Sequence, residues 1–320
     1  VRMSSDAAGG SEVKGEMDQL KAGVVGAGVF GGFHARKYAE LEGVAFVGVF
    51  DPHQDRAQTL AETWGGQAFP TLEALLDACH VVTIASPAET HAVTASRALD
   101  RGRHVYVEKP LAVNERSGQA LVEKAEDVRL VLACGHQERV MFEAMGLLNT
   151  PETPIRLESV RRGLPSPRSR DVSCVLDLMI HDLDLAVRLA ESGVMEYGAL
   201  EVRAEGVFDE VRAEATFRSG LKAVFSASRI ADKRERTMRL VYPSGEVEID
   251  FLAPSFRNTT SFALNPDFAS TPAGRDPLGT SVSAFLATVR GERPRPVVDG
   301  IEGLEALRLA LMVEEAAGLR

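Results

Sequence analysis

Three short stretches of this 320-residue chain carry side chains whose types and spacing suit chemistry. In KAGVVGAGVFGG, Gly26, Gly28 and Gly31 spell G-x-G-x-x-G between an apolar run and a helical one. A tight turn at Gly26, backbone approach at Gly28 and close packing at Gly31 suit a pyrophosphate resting on a helix start. Val29 and Phe30 open that helix and share the contact. In HVYVEKPL, Glu108, Lys109 and Pro110 end a later strand. Pro110 holds Lys109 extended, and an amine placed beside a nicotinamide ring can handle a substrate proton. In DLMIHDLD, Asp177 and His181 lie four apart, so one helix face carries both. Ionisable groups in so apolar a helix are costly unless paired or used. A third metal ligand is not evident, so proton transfer is the preferred reading.

Further residues fall on the same ligand edge. Asp51 ends the second strand, where a carboxylate accepts from a ribose hydroxyl and repels a 2′-phosphate, which favours NAD. Arg56 nearby keeps NADP open. Ser86, Pro87 and His91 in ASPAETH leave another strand toward the cofactor, and Gln137 follows a further one. The expected cofactor contacts are therefore Gly26, Gly28, Val29, Phe30, Asp51, Ser86, Pro87, His91, Glu108, Lys109 and Gln137.

Those residues need a scaffold. Apolar strand runs at Ala22–Val25, Val44–Phe50, Val81–Ala85, His104–Val107 and Leu130–Ala133 alternate with helical stretches. Near-continuous apolar strands are buried on both faces, which means a parallel, doubly wound Rossmann sheet. After a break at Pro151 and Pro154 come a strand at Ile155–Arg161, a helix at Val172–Ala190 and alternating segments from Glu201 to Phe251. These predict an α+β domain with a large open, mainly antiparallel sheet. Two helices close the chain. We expect a disordered extension over 1–20, a cofactor domain over 21–138 and a substrate and oligomerisation domain over 139–320.

The formal charge of −10 argues against a nucleic-acid partner. No apolar run reaches the roughly 20 residues of a membrane span, and cytoplasmic residence is expected. Cys79, Cys134 and Cys174 sit in apolar contexts and read as buried thiols. Basic residues gather locally at Arg161, Arg162, Arg168 and Arg170, and again at Lys233, Arg234 and Arg236.

GAGVFGG, Asp51, the P-x-x-x-H of Pro87 to His91, VEKP, and D-x-x-x-H at Asp177 and His181 together resemble the Gfo/Idh/MocA oxidoreductases. The resemblance runs from residue 21 to about the C-terminus. It implies a reacting carbon surrounded by Lys109, Asp177 and His181, with Gln137 on the nicotinamide side. It also implies a homodimer or homotetramer built through the second sheet. Within the family, the segment from Arg161 to Leu185 is similar to the UDP-N-acetylglucosamine 3-dehydrogenases. That implies a nucleotide-sugar substrate and a 3-keto product, with Arg161, Arg162, Arg168 and Arg170 available for a diphosphate. In this reading the hydroxyl proton passes to His181, or to Lys109 through a relay, while Lys109 polarises the oxygen and Asp177 holds the imidazole. An inositol or free-sugar dehydrogenase, an NAD-bound redox-assisted glycoside hydrolase and a non-enzymatic NAD-bound regulator are the alternatives.

Overall fold

A computed structural model describes residues 19–165, 171–190 and 199–320. Its first sheet holds β1 (Leu20–Val25), β2 (Val44–Phe50), β3 (Gln67–Ala68), β4 (Val81–Ile84), β5 (His104–Val107) and β6 (Leu132–Cys134). Their order is β3-β2-β1-β4-β5-β6, and every pairing is parallel. The order reverses between β1 and β4, which opens a crevice at their C-terminal ends. Helices α1 (Val29–Glu40), α2 (Gln54–Trp64), α3 (Leu72–Ala78), α4 (His91–Asp100) and α5 (Glu115–Asp127) make the crossovers. All four residues of β4 are buried, as a strand covered on both faces must be. The three cysteines are buried and reduced. Burial pushes the thiols of Cys79 and Cys174 up to about 12, so neither is a ready nucleophile.

The second sheet holds β7 (Arg156–Arg162), β8 (Ala199–Val207), β9 (Glu210–Phe217), β10 (Lys222–Ser228), β11 (Glu235–Tyr242), β12 (Gly245–Asp250) and β13 (Ser255–Asn258). Its order is β13-β12-β11-β7-β10-β9-β8. The expected meander is interrupted, because β7 inserts between β10 and β11. It runs parallel to β10 and antiparallel to β11. Alternation sets the two faces. Val211, Ala213, Ala215 and Phe217 of β9 are buried, whereas Glu210, Arg212 and Glu214 are exposed. The outer face carries Arg–Glu pairs such as Arg239–Glu246 and Arg257–Glu248.

After β6 comes α6 (Glu138–Met145), and after β7 a π-turn at Val175–Met179 that leads into α7 (Ile180–Leu189). The chain ends with α8 (Pro272–Arg275), α9 (Pro277–Val289) and α10 (Gly300–Ala316). Asp299 and Glu302 form a capping box on α10, worth about 1 kcal/mol. α9 returns to the first sheet, where Val282, Phe285 and Leu286 pack with Ala22, Val24 and Tyr38. Residues 139–320 therefore contribute to both hydrophobic cores. No described helix is long and apolar enough to cross a membrane.

Candidate active site

The glycine turn is fixed by space as much as by flexibility. Gly26 has φ +101°, and a Cβ there would stand 2.6 Å from the Ala85 carbonyl oxygen. A Cβ at Gly31 would stand 1.8 Å from the Gly26 oxygen, so only glycine lets α1 pack so closely on the strand end. Gly28 differs: a Cβ there meets nothing within 4 Å. That open side faces a groove of about 610 Å³ lined by Ala27, Gly28, Val29 and Arg56, and a second of about 650 Å³ passes Phe30 and Gln137. Val29 and Phe30 expose apolar surface at this edge.

Asp51 is nearly buried, and its carboxylate accepts from the backbone N–H groups of Ala27 (2.8 Å) and His53 (2.8 Å). The turn and the end of β2 are thereby locked together. Arg36 and Arg56 flank the groove. An open glycine at a helix start, an anchored carboxylate and a polar rim fit a dinucleotide such as NAD.

Two expected cofactor contacts point inward instead. Glu108 is buried, 2.7 Å from His34 Nε2, and accepts from Gln137 Nε2 at 3.1 Å. Burial pushes the Glu108 carboxyl up, but His34, with Lys109 and His91 adding their charge, holds it below the usual carboxylate range. Behind it, His34 Nδ1 lies 3.3 Å from Thr83 Oγ1, and Thr83 lies 2.8 Å from the Tyr38 hydroxyl. His91 is also buried. Its Nδ1 is 2.7 Å from the Pro110 carbonyl and its Nε2 is 2.8 Å from the Ser86 carbonyl. His91 thus ties the Ser86–Pro87 loop to the turn beyond Lys109, and burial pushes its protonation down. The Ser86 hydroxyl lies 2.6 Å from Thr90 Oγ1. The Lys109–Pro110 bond is cis.

Lys109 crosses from β5 to the π-turn. Its ammonium donates to the Asp177 carbonyl at 2.6 Å and to Asp177 Oδ1 at 3.2 Å. Both side chains are largely buried. The other oxygen of Asp177 lies 3.7 Å from Arg229 Nη1, and Arg229 in turn pairs with Asp209 at 2.7 Å. Asp177 was expected to hold the imidazole; it holds the lysine. Asp177 lies within the π-turn, and His181 follows in α7.

Glu138 takes the role expected of Asp177. Its Oε2 lies 2.7 Å from His181 Nδ1, and its Oε1 accepts from Arg161 Nη1 at 2.9 Å. Arg161 spends the rest of its guanidinium on Asp182, at 3.1 and 2.8 Å. Arg161 is therefore a buried structural cation and not the diphosphate ligand expected from sequence. Arg139 forks Asp184 in the same way and adds Glu302. Glu138 sits well below the ordinary carboxylate range: its burial is outweighed by His181 and Arg161. Burial pushes His181 down, with Glu138 opposing, so the imidazole is neutral at neutral pH. Arg162 is exposed and lies 3.5 Å from Glu235. Arg168 and Arg170 lie outside the described residues. Glu138 was missed because its partners come from β7 and α7; the local signal was an acid directly after Gln137 on the ligand edge.

A dinucleotide groove, a buried amine and a neutral imidazole held by a carboxylate define an NAD-binding oxidoreductase. Residues 20–136 match the GFO_IDH_MocA oxidoreductase family, NAD-binding Rossmann fold. The chain is 33% identical to UDP-N-acetylglucosamine 3-dehydrogenase of Acidithiobacillus ferrooxidans over 315 residues, covering 94% of this chain and 98% of that protein. A solved structure of that enzyme covers 95% of this chain and 99% of its own, with TM-score 0.83. Myo-inositol 2-dehydrogenase of Thermotoga maritima is 24% identical, covering 93% and 96% of the two chains. The WlbA dehydrogenase of Bordetella pertussis, solved with NADH and UDP-GlcNAcA, is 17% identical and shares the fold at TM-score 0.81, over 94% and 96% of the two chains. The chain belongs to the Gfo/Idh/MocA oxidoreductase family.

Proposed function

We propose that this protein oxidises a ring hydroxyl of a nucleotide sugar, UDP-N-acetylglucosamine foremost, to a 3-keto product. The observation that carries the reading is the Lys109–Asp177 contact, with His181 four residues further along the same helical stretch. The full-length similarity to a UDP-N-acetylglucosamine 3-dehydrogenase selects the substrate class. NAD, when bound, supplies the hydride acceptor. Gly26, Gly28, Val29 and Phe30 hold its pyrophosphate side, Asp51 its ribose, and Ser86, Pro87 and Gln137 its nicotinamide side. Lys109 orients the substrate oxygen, anchored by Asp177. The Glu138 carboxylate stands beside Nδ1 as a charge partner, and His181 serves as the proton acceptor.

Residues 21–138 supply the cofactor side and residues 139–320 most of the substrate side. We place the protein in the cytoplasm as a homodimer or homotetramer joined through the second sheet; light scattering tests the assembly. The substrate assignment is tested by incubating the protein and NAD with UDP-sugars, free sugars and inositols. NADH and a keto sugar nucleotide are expected from UDP-N-acetylglucosamine. Turnover of inositols or free sugars alone would overturn the assignment.

A further inference from the structure

Two basic runs far apart in the chain meet at one end of the second sheet. Antiparallel pairing of β7 with β11 sets Arg162 opposite Glu235 and Arg161 opposite Arg236. The Ala231 N–H donates to the Gly163 carbonyl at 3.1 Å and holds the following loops together. Lys233, Arg234 and Arg236 thus gather beside Arg161 and Arg162 at the end nearest Glu138 and His181.

Like charges directly opposite each other destabilise a sheet, so the Arg161–Arg236 pair is a cost to the fold. Arg161 is neutralised by Asp182 and Glu138. Arg236 is not: it stays solvent-accessible and forms no ion pair with a described residue. Lys233 and Arg234 are exposed and unpaired among the described residues as well. Partial burial and the charges of Arg161 and Arg234 work against the Arg236 cation, while Glu138 and Asp182 support it. A second anion at this position would offset that repulsion. Two ion-pair steps, Arg161 to Glu138 and Glu138 to His181, connect this rim to the proton acceptor. In a chain of formal charge −10, a positive rim there draws an anionic substrate group toward the reaction centre.

We propose that Arg236, flanked by Arg234 and Lys233, is the anion subsite that holds the diphosphate of a nucleoside diphosphate sugar. The proposal rests on the nucleotide-sugar reading above and refines it. A guanidinium fork matches two phosphate oxygens, and the neighbouring cations add field rather than geometry.

The test is calorimetric titration of UDP into the NADH-saturated protein, so that the glycine-turn site is already filled. UDP is expected to bind the wild type, to bind R236A about tenfold to a hundredfold more weakly and to bind R236K at an intermediate level. NADH affinity should be equal in all three, which certifies that the variants are folded. Equal UDP affinity for wild type and R236A, or no UDP binding to the wild type, would overturn the subsite. Turnover of UDP-N-acetylglucosamine is measured separately. Arg236-dependent UDP binding without turnover would leave the subsite standing and remove the reaction. Turnover with Arg236-independent UDP binding would do the reverse.

Discussion

Glu138 Oε2 stands 2.7 Å from His181 Nδ1, and both side chains are mostly sheltered from solvent. Glu138 raises the proton affinity of an imidazole that burial lowers. His181 works as a base only when neutral, so kcat/KM should fall with acid below the ordinary histidine value of about 6.5. In E138Q the raising influence is gone. The acid limb should then move to lower pH while the plateau drops by at least about tenfold, because the charge beside Nδ1 that stabilises the developing imidazolium is gone. A pH–rate profile of both proteins checks this; an unmoved limb and an unchanged plateau would contradict it.

Asp177 anchors Lys109 through its carbonyl and Oδ1. D177A keeps the carbonyl and loses the carboxylate, so the ammonium is mis-set rather than removed. We predict a fall in kcat of about a hundredfold, as for a misplacement near 1 Å. NADH binding, followed by fluorescence, should change little.

Gly28 and Gly31 separate binding from folding. A Cβ at Gly31 collides with the Gly26 oxygen, which is backbone and cannot swing away. G31A should lose about 3 kcal/mol in chemical denaturation. A Cβ at Gly28 meets open space, so G28A should keep its stability. The added methyl intrudes where the pyrophosphate approaches, and NADH should bind about tenfold more weakly.

His136 is buried, and neither ring nitrogen has a partner among the described residues. Burial lowers it to about 4. Its folded value lies below its unfolded value near 6.5, so the unfolded chain binds the extra proton and stability is lost on acidification. From pH 7 to pH 5 this group alone should remove about 2 kcal/mol. Urea denaturation at the two pH values should show a smaller loss in H136L than in the wild type.

The parallel sheet was legible because five of its strands are near-continuous apolar runs, as two-sided burial requires. β3 was not, since Gln67–Ala68 is too short to show a period. The alternation of β8 to β12 marked the second sheet, yet nothing local placed β7 between β10 and β11. That placement follows from long-range pairing. The same limit explains the site. Lys109 and His181 were found by their position after a strand and on a helix. Glu138 and Arg161 act through partners distant in sequence, so their roles emerged only with the fold. Arg161 looked like a phosphate ligand because its carboxylate partners were invisible from its neighbours.

The central claim is that Lys109 and His181 serve one substrate hydroxyl. The most direct measurement is initial NADH formation from UDP-N-acetylglucosamine by the wild type, K109A, H181A and the double variant. We predict that each single change lowers kcat by about 10²- to 10⁴-fold and that the double variant is scarcely worse than the weaker single one. Turnover at the wild-type rate in either single variant would contradict it.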